Sequence, residues 1–325
     1  MFSYRTILKQ AFSLSWKNKY LWFFGLFASL TIAGGSIESQ FITERFGQGV
    51  VGSSYHGLEG LLGTAGVFQM IYMGLVDLFN QSFVTMLHAA TIILLALTLA
   101  SVFVWLAITS QAAIVDAVAK IIAPKKKVFV PDFREHLTAG NQHFWSVLGF
   151  NILIRLLIST AFFISSLPLL LMVISDSYAF VVLYTILFVI FVPIALSLSL
   201  IVKYAISYRV LENESFVKSL EKGYDLFKKN WLISLEVSLL LFLITLIASF
   251  LLLLILAVTI FPLFVTGVLF SMTWLTALMI LIALIVVILF GSLMTTFQIS
   301  SWTNLYLHLR ANKGIAKLER LFRKK

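Results

Sequence analysis

LISLEVSLLLFLITLIASFLLLLILAVTI, residues 232 to 260, carries a single charge, Glu236. A helix needs about 20 apolar residues to cross roughly 30 Å of hydrocarbon. This run exceeds that length and lacks the period-2 alternation of a barrel strand. Inside lipid the backbone must bond to itself, so the run predicts a transmembrane helix, long enough to need tilt or an interfacial portion. Five other runs qualify or come close: about 20–35, 89–112, 146–174, 179–202 and 275–303. The first of these is short.

Composition carries the same message. Of 325 residues, 60% are apolar and 12% charged, and the mean hydropathy is +1.01. Soluble chains carry about 25% charged residues. There is too little polar surface here to cover a water-soluble globule, so the expected fold class is an all-α integral membrane protein with a single membrane domain. The chain has no cysteine, which excludes disulfides, thiolate metal sites and a cysteine nucleophile.

The connections between runs take sides. Arg5, Lys9, Lys17 and Lys19 precede the first span, and Lys120, Lys125, Lys126, Lys127 and Arg134 lie between the second and third. Lys203, Arg209, Lys218, Lys222, Lys228 and Lys229 lie between the fourth and fifth, and seven more close the chain from Arg310 to Lys325. Twenty-two of the 24 basic residues therefore fall on one side of a six-span arrangement. The opposite loop, about 36–88, holds Glu38, Glu44, Glu59, Asp77 and one cation, Arg45. Positive-inside logic puts both termini, including the tail 304–325, in the cytoplasm. The net charge of +10 is explained by this orientation and by attraction to anionic headgroups, and no nucleic-acid recognition motif accompanies it. A basic start before an apolar run ending near Ala33 also has the outline of a secretory signal. The 19-residue lead is long and itself patterned, so it is read as retained.

Just before the quoted run, FKKNWLISL (227–235) switches within a few residues from polar to apolar, and SWKNKYLWFFGLF (15–27) does the same. Each switch follows an amphipathic stretch. Tyr4, Ile7, Leu8, Ala11, Phe12 and Trp16 share one helical face, opposite Arg5, Lys9 and Lys17. Phe216, Leu220, Gly223, Phe227 and Trp231 share another, and Phe133, Leu137, Gly140 and Phe144 a third, with Asp132 and Glu135 suiting a helix start after Pro131. Tyr4–Leu8–Ala11, Phe133–Leu137–Gly140 and Phe216–Leu220–Gly223 align without gaps. Asn18 then superposes on Asn230, and Trp16 on Trp145. The expectation is a threefold repeat: three helical hairpins, each preceded by a cytoplasmic-side amphipathic helix. Such helices lie in the headgroup plane or pack beneath the bundle, and the small residues Ala11, Gly140 and Gly223 permit the second. Trp16, Trp22, Trp145 and Trp231 are placed as interfacial anchors, with Asn18 and Asn230 at the corners.

YAISYRVLENESFVKSLEKGYDLFKKNWLISL, residues 204 to 235, resembles the membrane domain of bacterial glycerophosphoryl diester phosphodiesterases and related six-span bacterial proteins. The likeness lies in Val210, Leu211 and Glu212 closing an even-numbered span, then Leu220 and Gly223, then Asn230 and Trp231 entering the next. The opening SWKNKYLWFFGLFA is similar to the start of stand-alone members. The resemblance implies a membrane module of a bacterial plasma membrane without the soluble hydrolase barrel, because spans and short connections use the whole chain.

Few residues suggest chemistry. Gly47, Gly49 and Gly52 match a bare GxGxxG, but in a glycine-rich external loop with no βαβ context. His56, His88, His136, His143 and His308 lack metal-ligand spacing, although His136 and His143 share a helical face. No serine has a nucleophile-elbow context. Gln298, Trp302, Asn304 and Tyr306 suit either a cavity lining or interhelical bonds. Residues 66–79, GVFQMIYMGLVDLF, are too short to span and suit a re-entrant or interfacial helix. Arg155 and Glu236 are the charges placed within spans, and such charges are functional hypotheses by default. They read either as a structural pair, or Arg155 as snorkelling to headgroups, or as a polar site for an anionic or zwitterionic ligand with Asn151 and Lys203 at similar depth. The leading expectation is a non-catalytic module that organises lipid or a protein partner through its basic face. The alternative is a small transporter or channel with a polar path past Arg155 and Glu236. No cofactor and no metal are expected.

Overall fold

A computed structural model describes residues 4–29, 83–122, 133–175 and 179–311. Every element among them is an α-helix, in the order α1 (Tyr4–Lys17), α2 (Tyr20–Ala28), α3 (Phe83–Ile122), α4 (Phe133–Gln142), α5 (Phe144–Ser175), α6 (Ala179–Glu212), α7 (Phe216–Lys229), α8 (Trp231–Leu269) and α9 (Thr273–Arg310). Five of them, α3, α5, α6, α8 and α9, are long and apolar enough to cross a membrane. The chain is a multi-pass membrane protein. The first expected span is represented by α2 alone, whose 9 residues cover only about 13 Å. The rest of that span, most of the external loop and the end of the tail lie outside the described residues.

The long helices overrun the apolar runs. The run 89–112 becomes the 40-residue α3, so Lys120 lies on a helix and not in a connection. The tail expected from residue 304 begins as helix, since α9 continues to Arg310. The physical reason is shared: hydropathy falls where a helix starts to carry polar side chains, but those side chains are buried in protein and the helix goes on. Thr109, Ser110 and Gln111 on α3, and Ser300, Ser301, Thr303 and Asn304 on α9, are all buried.

The described helices divide into two compact units, with boundaries inside α3, α5 and α6. The larger unit holds α1, α2, α4 and α7–α9 with the ends of the other three. Its core joins Ile7 and Ala11 of α1 to Leu200 and Tyr204 of α6, Leu226 of α7, Ile233, Val237 and Leu241 of α8, and Phe297, Trp302, Leu305, Tyr306 and Leu309 of α9. α2 lies along α9, where the Ser292 and Thr296 hydroxyls donate to the carbonyls of Trp22 and Leu21. α8 and α9 run against each other through a tight turn in which Ser271 takes φ 54° and Met272 N–H reaches the Gly267 carbonyl at 2.7 Å. The smaller unit contains apolar stretches of α3, α5 and α6 that carry Arg155, with Phe162 and Phe191 packed edge to face at 5.9 Å.

The short helices sit by their small residues. A Cβ on Gly140 of α4 would press on the carbonyl of Thr109 in α3, and one on Gly223 of α7 would meet the Ile201 carbonyl of α6 at 2.9 Å. Phe133, opening α4, stacks on Phe24 of α2 at 4.7 Å, and Phe216, opening α7, stacks on Phe150 of α5 at 4.3 Å. α1 is held by α9, where the Asn304 amide donates to the Ile7 carbonyl at 3.2 Å. Each short helix thus docks on helices that precede it, or in the case of α1 on the last one. At the corners, Asn18 and Asn230 act alike: each turns its side-chain amide onto the carbonyl four residues back, Leu14 at 2.9 Å and Leu226 at 3.1 Å. That satisfies carbonyls which a helix end leaves open. The Trp22 indole closes the first corner by donating to Ser15 O at 2.7 Å.

Candidate functional site

Of the residues singled out in the sequence, Arg155 belongs to the smaller unit and Asn151, Lys203 and Glu236 to the larger. Arg155 lies on α5 in the smaller unit, is exposed, and has no hydrogen-bond or ion-pair partner among the described residues. Glu236 lies on α8 in the larger unit and is half-buried. Asn151 is buried and spends its amide on Gln111 Oε1 at 3.0 Å and on the Val147 carbonyl at 2.8 Å. Lys203 stands 4.6 Å from the centre of the Trp302 ring, a cation–π arrangement. Trp16, Trp145 and Trp231 are exposed at the three corners, Trp145 at 80%. Trp22 is half-buried in the first corner, 5.8 Å from Trp16.

Two polar clusters stand out instead. The first joins α2, α3 and α4. Asp116 is nearly buried and accepts from Lys120 Nζ at 2.8 Å and from His136 Nδ1 at 2.9 Å. Lys120 also reaches Glu135 Oε1 at 2.8 Å, so one ammonium bridges two carboxylates. His136 is fully buried with Tyr20 stacked on it, ring centres 6.1 Å apart and planes within 12°. In the gap-free alignment of short helices His136 takes the place of Ile7 and Ser219, all three buried, and of these only the histidine can carry a charge. The nearby His143, between α4 and α5, is held below the usual histidine range, first by burial and then by the positive charge of Arg209. It is therefore neutral at pH 7.

The second cluster ties α6 to α7 and α9. Glu212 Oε1 accepts from the Tyr306 hydroxyl at 2.5 Å and from Arg310 Nε at 2.9 Å. Tyr208 packs edge to face on Tyr306 at 4.9 Å. In the short connection after α6, Asn213 takes φ 59°, and Glu214 pairs with Lys222 of α7 at 2.5 Å. Arg209 binds the Glu214 carbonyl at 2.5 Å and Ser146 of α5 at 2.9 Å. Hydrogen bonding to Lys222 holds the Glu214 carboxyl below its ordinary range, and the same bond raises Lys222.

Sequence reasoning did not single out Asp116, because the apolar run ends before it. The available signal was the Asp116–Lys120 spacing of four on a continuing helical phase. Glu212 entered only as the end of a span, and nothing local marks Tyr306, 94 residues away, as its partner.

No family model, curated protein or solved structure matches the chain.

The chemistry of both clusters is that of paired charges, and in the first the buried Tyr20 hydroxyl has no hydrogen-bond partner among the described residues. Among the described residues no group of three or more His, Cys, Asp or Glu side chains is gathered that could hold a metal ion. A groove of about 330 Å³ between α8 and α9 is lined by apolar side chains such as Leu253, Ile260, Phe264 and Met279. Neither Arg155 nor Glu236 lines it.

Proposed function

We propose that this chain is a non-catalytic membrane module that gathers anionic lipid, or a protein partner, at a basic cytoplasmic face. The reading includes six spans, a threefold repeat of short helix plus hairpin, and both termini in the cytoplasm of a bacterial cell. The observation that carries it is the way α1 and α7 dock. Ile7, Ala11, Ser219, Gly223 and Leu226 face the core, so Arg5, Lys9, Lys17, Lys19, Lys218, Lys228 and Lys229 stay on the exposed face beside Trp16 and Trp231. Amphipathic helices of that make attract anionic headgroups, with about 1 kcal/mol per basic residue near the surface. The likeness of residues 204–235 to the membrane domain of phosphodiesterases supports a module of this kind, and so does the equivalent docking of Gly140 and Gly223 on backbone.

The test is the lipid that accompanies the protein in polymer-excised native discs. Wild type is expected to enrich phosphatidylglycerol over bulk membrane. Changing Lys9, Lys17, Lys19, Lys218, Lys228 and Lys229 together to Gln is expected to lower the ratio most of the way to bulk. Solute flux through proteoliposomes that depends on Arg155 and Glu236 would sink this reading in favour of a transporter.

A further inference from the structure

Arg155 is the one Lys, Arg, Asp or Glu among the described residues of the smaller unit, which comprise parts of α3, α5 and α6. It stands on an exposed stripe of α5 with Ile152, Leu156, Ser159 and Phe163, at helical spacings of three and four. Leu156 is 61% exposed and Ile152 55%, so the guanidinium emerges from an apolar surface and has no anion within reach among the described residues. An unpaired cation cannot rest at the centre of a bilayer without large cost. At the edge of the hydrocarbon the long side chain snorkels and finds phosphate oxygens.

Length puts Arg155 at that edge. The twenty residues Leu156 through Ser175 of α5 carry no charge and span about 30 Å, the thickness of the hydrocarbon. The part of α6 in the same unit, Ala179–Leu198, is also uncharged and of the same length. Beyond Arg155 in the other direction α5 turns polar, with Asn151 buried against Gln111 and Ser146 bound by Arg209. A guanidinium presents a planar fork that matches two phosphate oxygens.

We propose that Arg155 marks one edge of the hydrocarbon and binds the phosphate of an anionic phospholipid, whose acyl chains lie along the Leu156–Phe163 stripe of α5. This goes beyond the basic-face reading, because Arg155 belongs to neither α1 nor α7 and the site would exist in a transporter as well.

The absence of cysteine makes a depth measurement direct. Spin labels on the single variants Ile152→Cys, Ser159→Cys and Phe163→Cys, in vesicles of phosphatidylethanolamine and phosphatidylglycerol, report oxygen against nickel-chelate accessibility. Position 152 is expected at headgroup level and position 163 within hydrocarbon. A label at 152 as deep as that at 163 overturns the placement. In parallel, native mass spectrometry of the full chain counts phospholipid retained after detergent exchange. Arg155→Gln is expected to lower retained phosphatidylglycerol about tenfold, equivalent to one decade in affinity. Arg155→Lys should fall between, and diacylglycerol, which lacks phosphate, should not be retained by any of them. Equal retention by wild type and Arg155→Gln refutes the site. Displacement of the lipid by millimolar inorganic phosphate assigns it to free phosphate, and a co-purifying protein that needs Arg155 assigns it to a partner. Either overturns the proposal. The depth labels keep Arg155 in place, so that arm stands even where the Gln variant does not fold.

Discussion

Helical glycines in this chain are expected to answer the same substitution with opposite signs. At Gly223 a Cβ would lie 2.9 Å from the Ile201 carbonyl oxygen and 3.0 Å from Ala205 N, both backbone atoms of α6. At Gly140 the clash with the Thr109 carbonyl of α3 is tighter still. Neither obstacle is a side chain that can rotate away, so α4 or α7 must lift by several tenths of an ångström and lose packing along its length. Overpacking of that kind costs about 1–3 kcal/mol. Alanine returns about 1 kcal/mol over glycine in a helix interior. Gly223→Ala should therefore cost about 0–2 kcal/mol and Gly140→Ala somewhat more. At Gly291 of α9 a Cβ meets nothing within 4 Å, so only the propensity gain remains and Gly291→Ala should stabilise by up to about 1 kcal/mol. Reversible unfolding in mixed micelles, followed by tryptophan fluorescence, ranks the three against wild type. At this chain length each kcal/mol moves Tm by about 2 °C or somewhat less, by extrapolation from soluble domains. Equal shifts for Gly140→Ala and Gly291→Ala would refute the docking of α4 on α3.

The two charge clusters make further predictions in the same assay. Glu212→Gln removes the carboxylate charge facing Arg310 and leaves only a weaker amide oxygen to accept from Tyr306 and Arg310, and should cost about 1–3 kcal/mol, whereas Tyr306→Phe leaves Arg310 paired and should cost less. Asp116→Asn keeps the shape but leaves Lys120 with Glu135 alone and weakens the bond to His136, and should destabilise by about 1–3 kcal/mol; no change in Tm would remove Asp116 from the structural account. The Glu214–Lys222 pair gives a pH signature. The folded Glu214 carboxyl titrates below its unfolded value, so its contribution is present above the unfolded value and fades as pH falls through the folded one. Lys222 is raised, so its contribution is complete below its unfolded value and is lost as pH rises through the folded one. The small Tm gap between wild type and Glu214→Gln should hold at neutral pH, close in acid, and shrink in high salt because both groups are exposed.

What could be read from the chain alone followed solvent, and what could not followed packing. A lipid solvent demands continuous apolar helix, so the runs at 89–112, 146–174, 179–202, 232–260 and 275–303 each mark a real helix. On the short helices the buried side is Ile7, Ala11 and Ser15 of α1 and Ser219, Gly223 and Leu226 of α7, while Phe12 and Trp16 of the apolar face read from the sequence are exposed. The helices continue past the apolar runs for one reason: a buried protein interior tolerates Thr109, Gln111, Asp116 and Asn304 where hydrocarbon would not. Hydropathy measures fitness for lipid and so stops reporting where a helix passes from lipid into protein.

The same distinction sorts the charges. A charge on a long helix costs least where protein supplies its partner, and this chain places Asp116, Lys120 and Glu212 where two or more neighbouring groups meet them. Pairing of that quality fixes register more than it adds stability, since removing one partner costs more than the pair contributes. Asp116–His136 lies where α4 meets α3, and Glu212–Tyr306–Arg310 where α6 meets α9. Each cluster therefore specifies which helices adjoin in a core built mainly of aliphatic and aromatic side chains. Arg155 lacks such a partner among the described residues and cannot be part of that code. An unpaired guanidinium on an apolar face is explained by what lies outside the protein, and for a helix whose next twenty residues match the hydrocarbon thickness, that is the phosphate layer of the membrane.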